Sequence, residues 1–239
     1  MSPIAGRSVI VTGAALGLGA AIARHLAGLG ARLALVDYNA GALAETAAAC
    51  GQPEAAHVAD LSDATATAEA IAAILARLGR IDAVIHNAAI LDPKPLAAMT
   101  LSDFQRTTNV GLQAGFQLAR AAWPGMAEAG RGVFIFVSSR SGIEGFADET
   151  AYCATKHGLE GFSKSIALEG AALGIHSMTV TPGMYMRTPM SERNYSDALK
   201  QKWVEPDRLA PAFATMIAEP ERFSGQRLNA WTLATSDTP

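Results

Sequence analysis

The stretch Val9-Ile-Val-Thr-Gly-Ala-Ala-Leu-Gly-Leu-Gly19 decides the fold. Three β-branched residues lead into a turn with three glycines, and a helical pattern over 15–29 follows. Glycines in such a turn let backbone N–H groups approach a phosphate, and the helix N-terminus adds positive potential. The stretch therefore predicts a strand–turn–helix unit that binds a dinucleotide, with contacts from Gly13, Leu16, Gly17, Leu18 and Gly19.

Beyond this unit, short β-like runs alternate with helical patterns along the chain. The predicted strands are 9–11, 32–36, 55–58, 81–86, 133–137, 176–180 and 226–229, and the predicted helices are 15–29, 40–49, 63–78, 101–128, 151–173 and 206–218. This alternation predicts one α/β domain over 1–239, with a parallel sheet covered by helices on both faces. The irregular segment 184–205 is too long for a simple connection and is predicted to be a substrate loop.

Polar residues that follow the predicted strands mark the cofactor edge. A carboxylate at Asp37 can accept hydrogen bonds from the ribose hydroxyls of NAD and would repel the 2′-phosphate of NADP. Asp60, with Leu61 beside it, either reaches the adenine or caps the next helix, and the sequence leaves both interpretations open. Asn87 follows the fourth strand, at the sheet edge where ligands bind in such folds. These residues predict NAD as the cofactor.

The pair Tyr152 and Lys156 points to proton transfer. Four residues apart on a helix, the two side chains share one face. A neighbouring ammonium favours the phenolate, so we expect a lowered tyrosine pKa. The pair alone is common on helix surfaces, but Ser139 lies just after the apolar run 133–137 and strengthens the catalytic interpretation.

Composition excludes several classes of protein. The chain has 239 residues, of which 50% are hydrophobic, and its formal net charge is −3. It therefore lacks the excess of basic residues that is typical of proteins that bind nucleic acid. Apolar stretches are interrupted by charges before they could span a membrane, and we see no secretory signal. Two cysteines form neither a disulfide framework nor a metal-ligand spacing. We expect a cytoplasmic protein with no bound metal, no nucleic-acid partner and no membrane association.

Taken together, these residues resemble the short-chain dehydrogenase/reductase family, in its compact, single-domain, NAD-preferring form. The resemblance runs from about Ala5 to Asn229 and adds Asn109 and Pro182-Gly183 to the residues above. It implies a Rossmann-like, doubly wound, seven-stranded parallel sheet of order 3-2-1-4-5-6-7. It also implies a homo-oligomer, as a dimer or tetramer, and hydride transfer between a nicotinamide and a small alcohol or carbonyl substrate.

By resemblance, each catalytic position has an implied role. Tyr152 would be the general base or acid, and Lys156 would bind the nicotinamide ribose. Ser139 would donate a hydrogen bond to the substrate oxygen, and Asn109 would anchor a water that links Lys156 to solvent. Pro182 and Gly183 would lie along the face of the nicotinamide.

The sequence departs from the family pattern at three places. The usual Asn-Asn-Ala-Gly turn is His86-Asn-Ala-Ala89, which would be strained if its last position needs a positive φ. His86 itself is interpreted as a packed strand-end residue. The threonine after Pro182-Gly183 stands one residue later than usual, at Thr188, and the glycine-rich ending is replaced by Asn229-Ala-Trp-Thr-Leu233.

The sequence thus predicts an NAD-dependent oxidoreductase of secondary alcohols or ketones with a Ser-Tyr-Lys mechanism. Two alternatives stay open. One is a dinucleotide-sensing or scaffold protein without turnover, and the other is the same enzyme working on NADP.

Overall fold

A seven-stranded parallel sheet forms the centre of the molecule. The computed structural model describes residues 2–236, so Met1 and 237–239 of the predicted domain lie outside the described residues. The strands are β1 (Ser8–Thr12), β2 (Arg32–Asp37), β3 (Ala56–Val58), β4 (Ala83–His86), β5 (Gly132–Val137), β6 (Ile175–Thr181) and β7 (Arg227–Asn229). Their spatial order is β3-β2-β1-β4-β5-β6-β7, and every neighbouring pair is parallel. The predicted fold class and strand order are confirmed.

Helices cover both faces of this sheet. They are α1 (Gly17–Gly28), α2 (Ala40–Ala49), α3 (Ala64–Leu78), α4 (Leu101–Thr108), α5 (Ala114–Ala129), α6 (Thr150–Gly170), α7 (Pro189–Asn194), α8 (Asp197–Lys200), α9 (Ala210–Ala218), α10 (Pro220–Phe223) and α11 (Ala230–Thr235). Val9 and Val11 belong to the core under α1, α2 and α9, whereas Ile10 between them belongs to the core under α3, α5 and α6. A strand whose two faces are both buried is apolar through its middle, as β1 is at Val9–Val11.

The predicted helix 101–128 is helical along its whole length but changes its pitch in the middle. A π-helical turn, Asn109–Gln113, separates α4 from α5. The carbonyl of Gly111 in this turn accepts a hydrogen bond from His86 Nε2 at 2.9 Å, so a contact distant in sequence accompanies the change of helical pitch. Such turns are frequent at functional sites.

The predicted loop 184–205 contains more structure than expected. It holds the short helices α7 and α8, and an isolated parallel bridge joins Met186 to Val204 at its base. The Arg187 N–H donates to the Val204 carbonyl at 3.0 Å, and the Val204 N–H donates to the Tyr185 carbonyl at 2.8 Å. The two ends of this segment are therefore hydrogen-bonded to each other.

The sheet order brings the predicted site residues to one edge. The connections leave β1 and β4 in opposite directions across the sheet, and this switch point opens a crevice at the carboxyl ends of the strands. Between Ser2 and Ser236 no helix combines the length and apolar character that crossing a bilayer would require.

Candidate active site

The glycine turn after β1 is closely packed and cannot accept side chains. Gly13 and Gly17 have φ of 63° and 56°, in the left-handed region that favours glycine. A Cβ on Gly19 would lie 2.0 Å from the Gly13 carbonyl oxygen, so the helix start touches the turn directly. The backbone is thereby exposed to the crevice, as a phosphate-binding turn requires.

Asp37 is held against this turn. One carboxylate oxygen, Oδ2, accepts a hydrogen bond from the Ala15 N–H at 3.1 Å, and Oδ1 accepts one from the Asn39 N–H at 3.0 Å. Both bonds orient the carboxylate at the end of β2, beside the glycine turn. The side chain is half-buried and lines the crevice.

Asn87 joins β4 to the same turn. Its side-chain amide donates to the carbonyls of Thr12 and Gly13, at 3.1 Å each. The backbone N–H groups of Asn87 and Ala88 both donate to the Thr12 hydroxyl, again at 3.1 Å. No residue from 86 to 89 has a positive φ, so alanine at position 89 brings none of the strain considered from the sequence.

His86 lies directly beneath this junction and is buried, with 1% of its surface exposed. Its Nε2 must donate to the Gly111 carbonyl, which accepts only, so a neutral ring accepts at Nδ1 from the Thr12 hydroxyl at 2.9 Å. Burial first, and then the charge of Lys156, lower the pKa of His86 to about 4. His86 is a packed strand-end residue that links β1, β4 and the π-helical turn.

Asp60 and Leu61 lie apart from the crevice, and neither lines it. The Asp60 carboxylate accepts a hydrogen bond from the Ser62 N–H at 2.9 Å, which lowers its pKa. The N-cap of α3 is Asp63, whose carboxylate accepts from Thr65 at 2.7 Å. The helix-cap alternative for Asp60 is therefore wrong, and Leu61 is buried in the core.

Tyr152 and Lys156 share one face of α6, as predicted. The lysine ammonium lies 5.3 Å from the centre of the tyrosine ring. Its Nζ donates to the Val137 carbonyl at 2.6 Å, and only 1% of the residue is exposed. Burial lowers the pKa of Lys156 to about 8, against the opposing charge of Glu160.

The pKa of Tyr152 does not follow the sequence-based expectation. Burial raises the pKa of this phenol above its ordinary value, and a hydrogen bond with Ser139 opposes the shift only in part. The expectation of a lowered pKa is wrong for this structure, because desolvation of a phenolate outweighs the field of the ammonium. The tyrosine is a protonated phenol at neutral pH.

Ser139 is the second residue after β5 and is fixed from two sides. Its hydroxyl accepts from the Ser141 N–H at 3.2 Å, and its carbonyl accepts from Arg227 at 2.7 Å. Arg227 is itself paired with the buried Glu160, at 3.0 Å. This ion pair, which joins α6 to β7 and supports the serine, had no local signal in the sequence.

Asn109 opens the π-helical turn, and its amide donates to the Ser62 carbonyl at 3.0 Å. Asn109 does not line the crevice, and its amide is bonded to the connection before α3. The water-anchoring role that the resemblance implies stays a prediction.

Pro182 and Gly183 line the crevice and meet the C-terminal part of the chain. Gly183 has φ of 78°, and a Cβ there would lie 2.0 Å from Asn229 Oδ1. The Pro182 carbonyl accepts from the Trp231 N–H at 3.0 Å. The unusual ending after β7 thus forms α11, capped by Asn229, and it packs against the Pro182-Gly183 turn.

Thr188 lies against the glycine turn despite its displaced position in the sequence. A Cβ on Gly17 would lie 3.1 Å from the Thr188 methyl group. The Thr188 hydroxyl caps α7 by accepting from the Ser191 N–H at 3.1 Å. The segment 184–205 therefore covers the crevice at this point.

The crevice encloses about 800 Å³. Most of the predicted site residues line it, together with side chains of the covering segment; the predicted ones are Gly13, Leu16, Gly17, Leu18, Asp37, Asn87, Ser139, Tyr152, Lys156, Pro182 and Gly183. A glycine cradle without room for Cβ atoms, a carboxylate at the end of β2 and a buried ammonium fit a nicotinamide dinucleotide. Residues 2–236 contain no cluster of three or more metal-ligating side chains.

Sequence reasoning missed several residues that the structure brings to the site. They are Tyr195 and the ion-paired Arg227, which line the crevice, and Glu149, which lies beside Tyr152 in a smaller adjoining cavity. All but Glu149 belong to segments without a periodic pattern or to the last strand. Glu149 lies three residues before Tyr152 and was the one that spacing could have indicated.

Known proteins are similar to this chain over most of its length. The model of the short chain dehydrogenase family matches residues 7–199. The chain is 33% identical over 226 residues to D-threitol dehydrogenase of Mycolicibacterium smegmatis, covering 90% of this chain and 86% of that protein. It is 37% identical over 184 residues to 2-dehydro-3-deoxy-L-rhamnonate dehydrogenase (NAD(+)) of a Sphingomonas species, covering 76% and 73%.

Solved structures agree with the fold. The chain superposes on 3-ketoacyl-(acyl-carrier-protein) reductase from Brucella melitensis, complexed with NADH, with a TM-score of 0.86, covering 95% of this chain and 97% of that one. At 24% identity this likeness shows the fold alone. The similar solved structures include complexes with NADH and with NADP. With the family model matching most of its length, this chain belongs to the short-chain dehydrogenase/reductase family of oxidoreductases.

Proposed function

We propose that this protein is an NAD-dependent oxidoreductase that interconverts a secondary alcohol and its ketone within one domain. One observation carries the proposal: Ser139, Tyr152 and Lys156 line the same crevice as the glycine turn and Asp37. Proton-transfer groups and a dinucleotide cradle thus share one enclosed space.

Each catalytic side chain has a role that follows from its position. The chemistry that bound NAD supplies is acceptance of the hydride from the carbinol carbon. When substrate binds, the Ser139 hydroxyl would turn its one hydrogen from Ser141 Oγ to the substrate oxygen and hold that oxygen beside the Tyr152 phenol. In ketone reduction the phenol donates its proton to that oxygen, and in alcohol oxidation the phenolate accepts the alcohol proton.

Lys156 contributes positive charge to the same site. At neutral pH it is mainly an ammonium, because burial lowers its pKa only to about 8. The cation would bind the nicotinamide ribose and stabilise a phenolate at Tyr152 once proton transfer begins. Since Tyr152 is protonated at neutral pH, reduction starts from the resting ionisation state and oxidation is favoured by alkaline pH.

The preference for NAD rests on Asp37. Two backbone N–H groups hold its carboxylate in place beside the glycine turn. A fixed negative charge accepts hydrogen bonds from ribose hydroxyls and repels a 2′-phosphate. Neither Ala15 nor Tyr38, which adjoin the carboxylate, supplies a cation.

The relatives named above suggest the same reaction type. The name of one relative contains threitol, and the name of another contains 2-dehydro-3-deoxy-L-rhamnonate. A third relative, 34% identical over 194 residues, is levodione reductase of Leifsonia aquatica. Their compounds differ in charge and shape, so only the alcohol/carbonyl chemistry is common to them.

Turnover by purified protein tests the proposal. We expect NADH formation from NAD with a panel of secondary alcohols, and we expect Tyr152→Phe to lower kcat by about 1,000-fold or more, because the proton donor and acceptor is removed. NADH binding, followed by fluorescence, should change little. Undiminished activity in Tyr152→Phe would overturn the mechanism, and NADH binding without turnover on any alcohol or ketone would favour the dinucleotide-sensing alternative.

The cofactor preference has its own test. Wild-type protein should bind NADH at least about tenfold tighter than NADPH, and Asp37→Ala should remove most of the difference, because one repulsive charge is lost. Tighter binding of NADPH by the wild type would show that the interpretation of Asp37 is wrong.

We also propose a cytoplasmic homo-oligomer. Both cysteines are free thiols. Phe116 on α5 and Leu168 on α6 are 49% and 81% exposed, and the Phe116 ring lies 6.4 Å from that of Phe162 on α6, so both helices carry exposed apolar side chains that a second copy could cover. Light scattering should give a mass above 24.8 kDa that falls in Leu168→Asp.

A further inference from the structure

One carboxylate beside the catalytic tyrosine has no part in the mechanism described above. Glu149 is half-buried and immediately precedes α6, three residues before Tyr152. Glu149 and Tyr152 both line a small cavity of about 20 Å³, next to the main crevice. This volume holds about one water molecule.

A chain of hydroxyl groups connects Glu149 to the catalytic serine. The Ser139 hydroxyl donates to Ser141 Oγ at 3.3 Å, and the Ser141 hydroxyl donates to Glu149 Oε2 at 2.9 Å. Within residues 2–236 the other carboxylate oxygen, Oε1, accepts no hydrogen bond. Glu149 therefore keeps an acceptor available beside the group that holds the substrate oxygen.

The backbone at this point is strained and fixed. Asp148, the residue before Glu149, has φ of 64° and is the only non-glycine residue at positive φ in the described part of the chain. Its carbonyl accepts from the Lys94 N–H at 2.7 Å, which ties the strained residue to the loop after β4. Strain of this kind collects where a side chain must be held in one place for function.

The charge of Glu149 reaches two phenols that line the main crevice. It contributes to the raised pKa values of both Tyr152 and Tyr195, where burial is the larger cause. A carboxylate here opposes formation of the phenolate at Tyr152, which is a cost to alcohol oxidation. That cost is offset if the carboxylate also binds substrate.

A carboxylate accepts hydrogen bonds and repels anions. Building on the proposed function, we infer that Glu149 accepts a hydrogen bond from a second hydroxyl group of the substrate, which is a neutral diol or polyol. The hydroxyl next to the reacting carbon would lie toward Glu149 while the reacting oxygen lies between Ser139 and Tyr152.

The cations near the crevice are placed less well for a substrate anion. Arg140 is paired with Glu144 at 3.1 Å and lies over the Phe146 ring at 5.0 Å. Arg193 and Lys202 are exposed side chains of the covering segment. A hydroxy acid held by Arg193 is the competing substrate class.

Matched four-carbon probes test the inference. We would measure kcat/KM for threitol, erythritol, 2-butanol and 3-hydroxybutyrate with NAD. Wild-type enzyme should prefer a tetritol to 2-butanol by about 100-fold in kcat/KM. Glu149→Gln should lower that preference by about 10- to 100-fold, because one charged hydrogen bond to the tetritol is lost, whereas any effect on proton transfer at Tyr152 is shared by both substrates. The loss should appear mainly in KM.

Glu169→Gln makes the same change on an exposed position of the same helix and controls for charge alone. A second measurement avoids turnover: Tyr152→Phe saturated with NADH should bind the tetritol, and the double variant with Glu149→Gln should bind it more weakly by a similar factor. Because this measurement follows binding and not turnover, it tests the inference even if Glu149→Gln alters the rate of proton transfer.

The outcomes separate this inference from the proposed function. Equal use of 2-butanol and the tetritols, or an unchanged preference in Glu149→Gln, would overturn the inference while the oxidoreductase assignment stands. Preference for 3-hydroxybutyrate, abolished in Arg193→Met, would overturn it in favour of a hydroxy acid. No turnover of any alcohol or ketone with either cofactor would overturn the proposed function and the inference with it.

Discussion

The two sides of the crevice are built in different ways. On the β1–β2 side the contacts come from backbone atoms and fixed short side chains: the glycine turn, the Asp37 carboxylate held by two N–H groups, and Asn87 bonded to two carbonyls. On the covering side, the segment 184–205 presents side chains from α7 and from the irregular stretches around it, and one bridge between Met186 and Val204 joins its ends.

This difference separates the requirements of cofactor and substrate. A dinucleotide is a constant ligand, and a rigid backbone cradle binds its phosphates without rearrangement. A substrate site must select one compound. Here side chains such as Tyr185 and Tyr195, whose rings pack edge to face at 5.6 Å, form the wall, and substitution of such side chains changes the shape of the site. We therefore expect small changes to be severe on the first side and mild on the second.

The largest effect is expected at Gly19. A methyl group there would lie 2.0 Å from the Gly13 carbonyl, so Gly19→Ala must move the turn. We expect NADH affinity to fall by about 100-fold and stability by about 1–3 kcal/mol, from overpacking of a tight contact. Fluorescence titration and denaturant unfolding measure both.

Gly28→Ala is the matched control in the same helix, since a Cβ at Gly28 meets nothing within 4 Å. It should leave NADH binding unchanged and raise stability by about 0.5–1 kcal/mol at most. Equal behaviour of the two variants would remove the contrast between the rigid cradle and the rest of α1.

An intermediate effect is expected from the buried histidine beneath the cradle. The pKa of His86 is about 4 in the folded protein and about 6.5 when unfolded, so the unfolded chain binds the additional proton between these values. Stability is full above pH 6.5 and falls as the pH drops toward 4, by about 3 kcal/mol in all. Urea unfolding at a series of pH values measures the slope.

In His86→Gln, whose amide retains one donor and one acceptor, the slope between pH 6.5 and 4 should be shallower by about one proton. His157→Gln, at an exposed position, should keep the wild-type slope. A wild-type slope in His86→Gln would mean that the network of Thr12, His86 and Gly111 does not depend on a neutral ring.

The smallest effect is expected on the covering side. Thr188→Val keeps the methyl contact with Gly17 but loses the hydroxyl that caps α7. We expect NADH affinity to fall by about two- to fivefold and stability by about 1 kcal/mol or less. Thr100→Val removes the cap of α4, away from the crevice, and should cost similar stability with no change in NADH affinity. A loss as large as that of Gly19→Ala would show that the covering segment is as rigid as the cradle.

Prediction from sequence succeeded where a pattern is local. The alternation of runs predicted the seven strands, and the glycine spacing predicted the crevice-lining turn. Tyr152 and Lys156 share a face of α6 because helical spacing places them there. The limit appears inside the predicted helix 101–128, which changes pitch at Asn109–Gln113, where Gly111 bonds to His86, 25 residues earlier.

The same limit applies to charges. The sequence indicated that Lys156 would lower the tyrosine pKa, because the spacing is visible and the burial is not. Desolvation depends on every neighbour that excludes water, so its sign at Tyr152 emerged only from the packed structure. The Glu149–Ser141–Ser139 chain is likewise assembled by a strained turn at Asp148 rather than by spacing.

By itself the sequence determined the sheet, its strand order through the family, the glycine cradle, Asp37 and the Tyr–Lys face, because each depends on hydrophobic periodicity or on fixed spacing within one element. Tertiary structure alone decided how Thr188 meets Gly17, how Arg227 and Glu160 hold Ser139, and where the free oxygen of Glu149 lies. Those contacts join residues far apart in the chain or held by a strained turn, and their energies exist only once the intervening elements have packed.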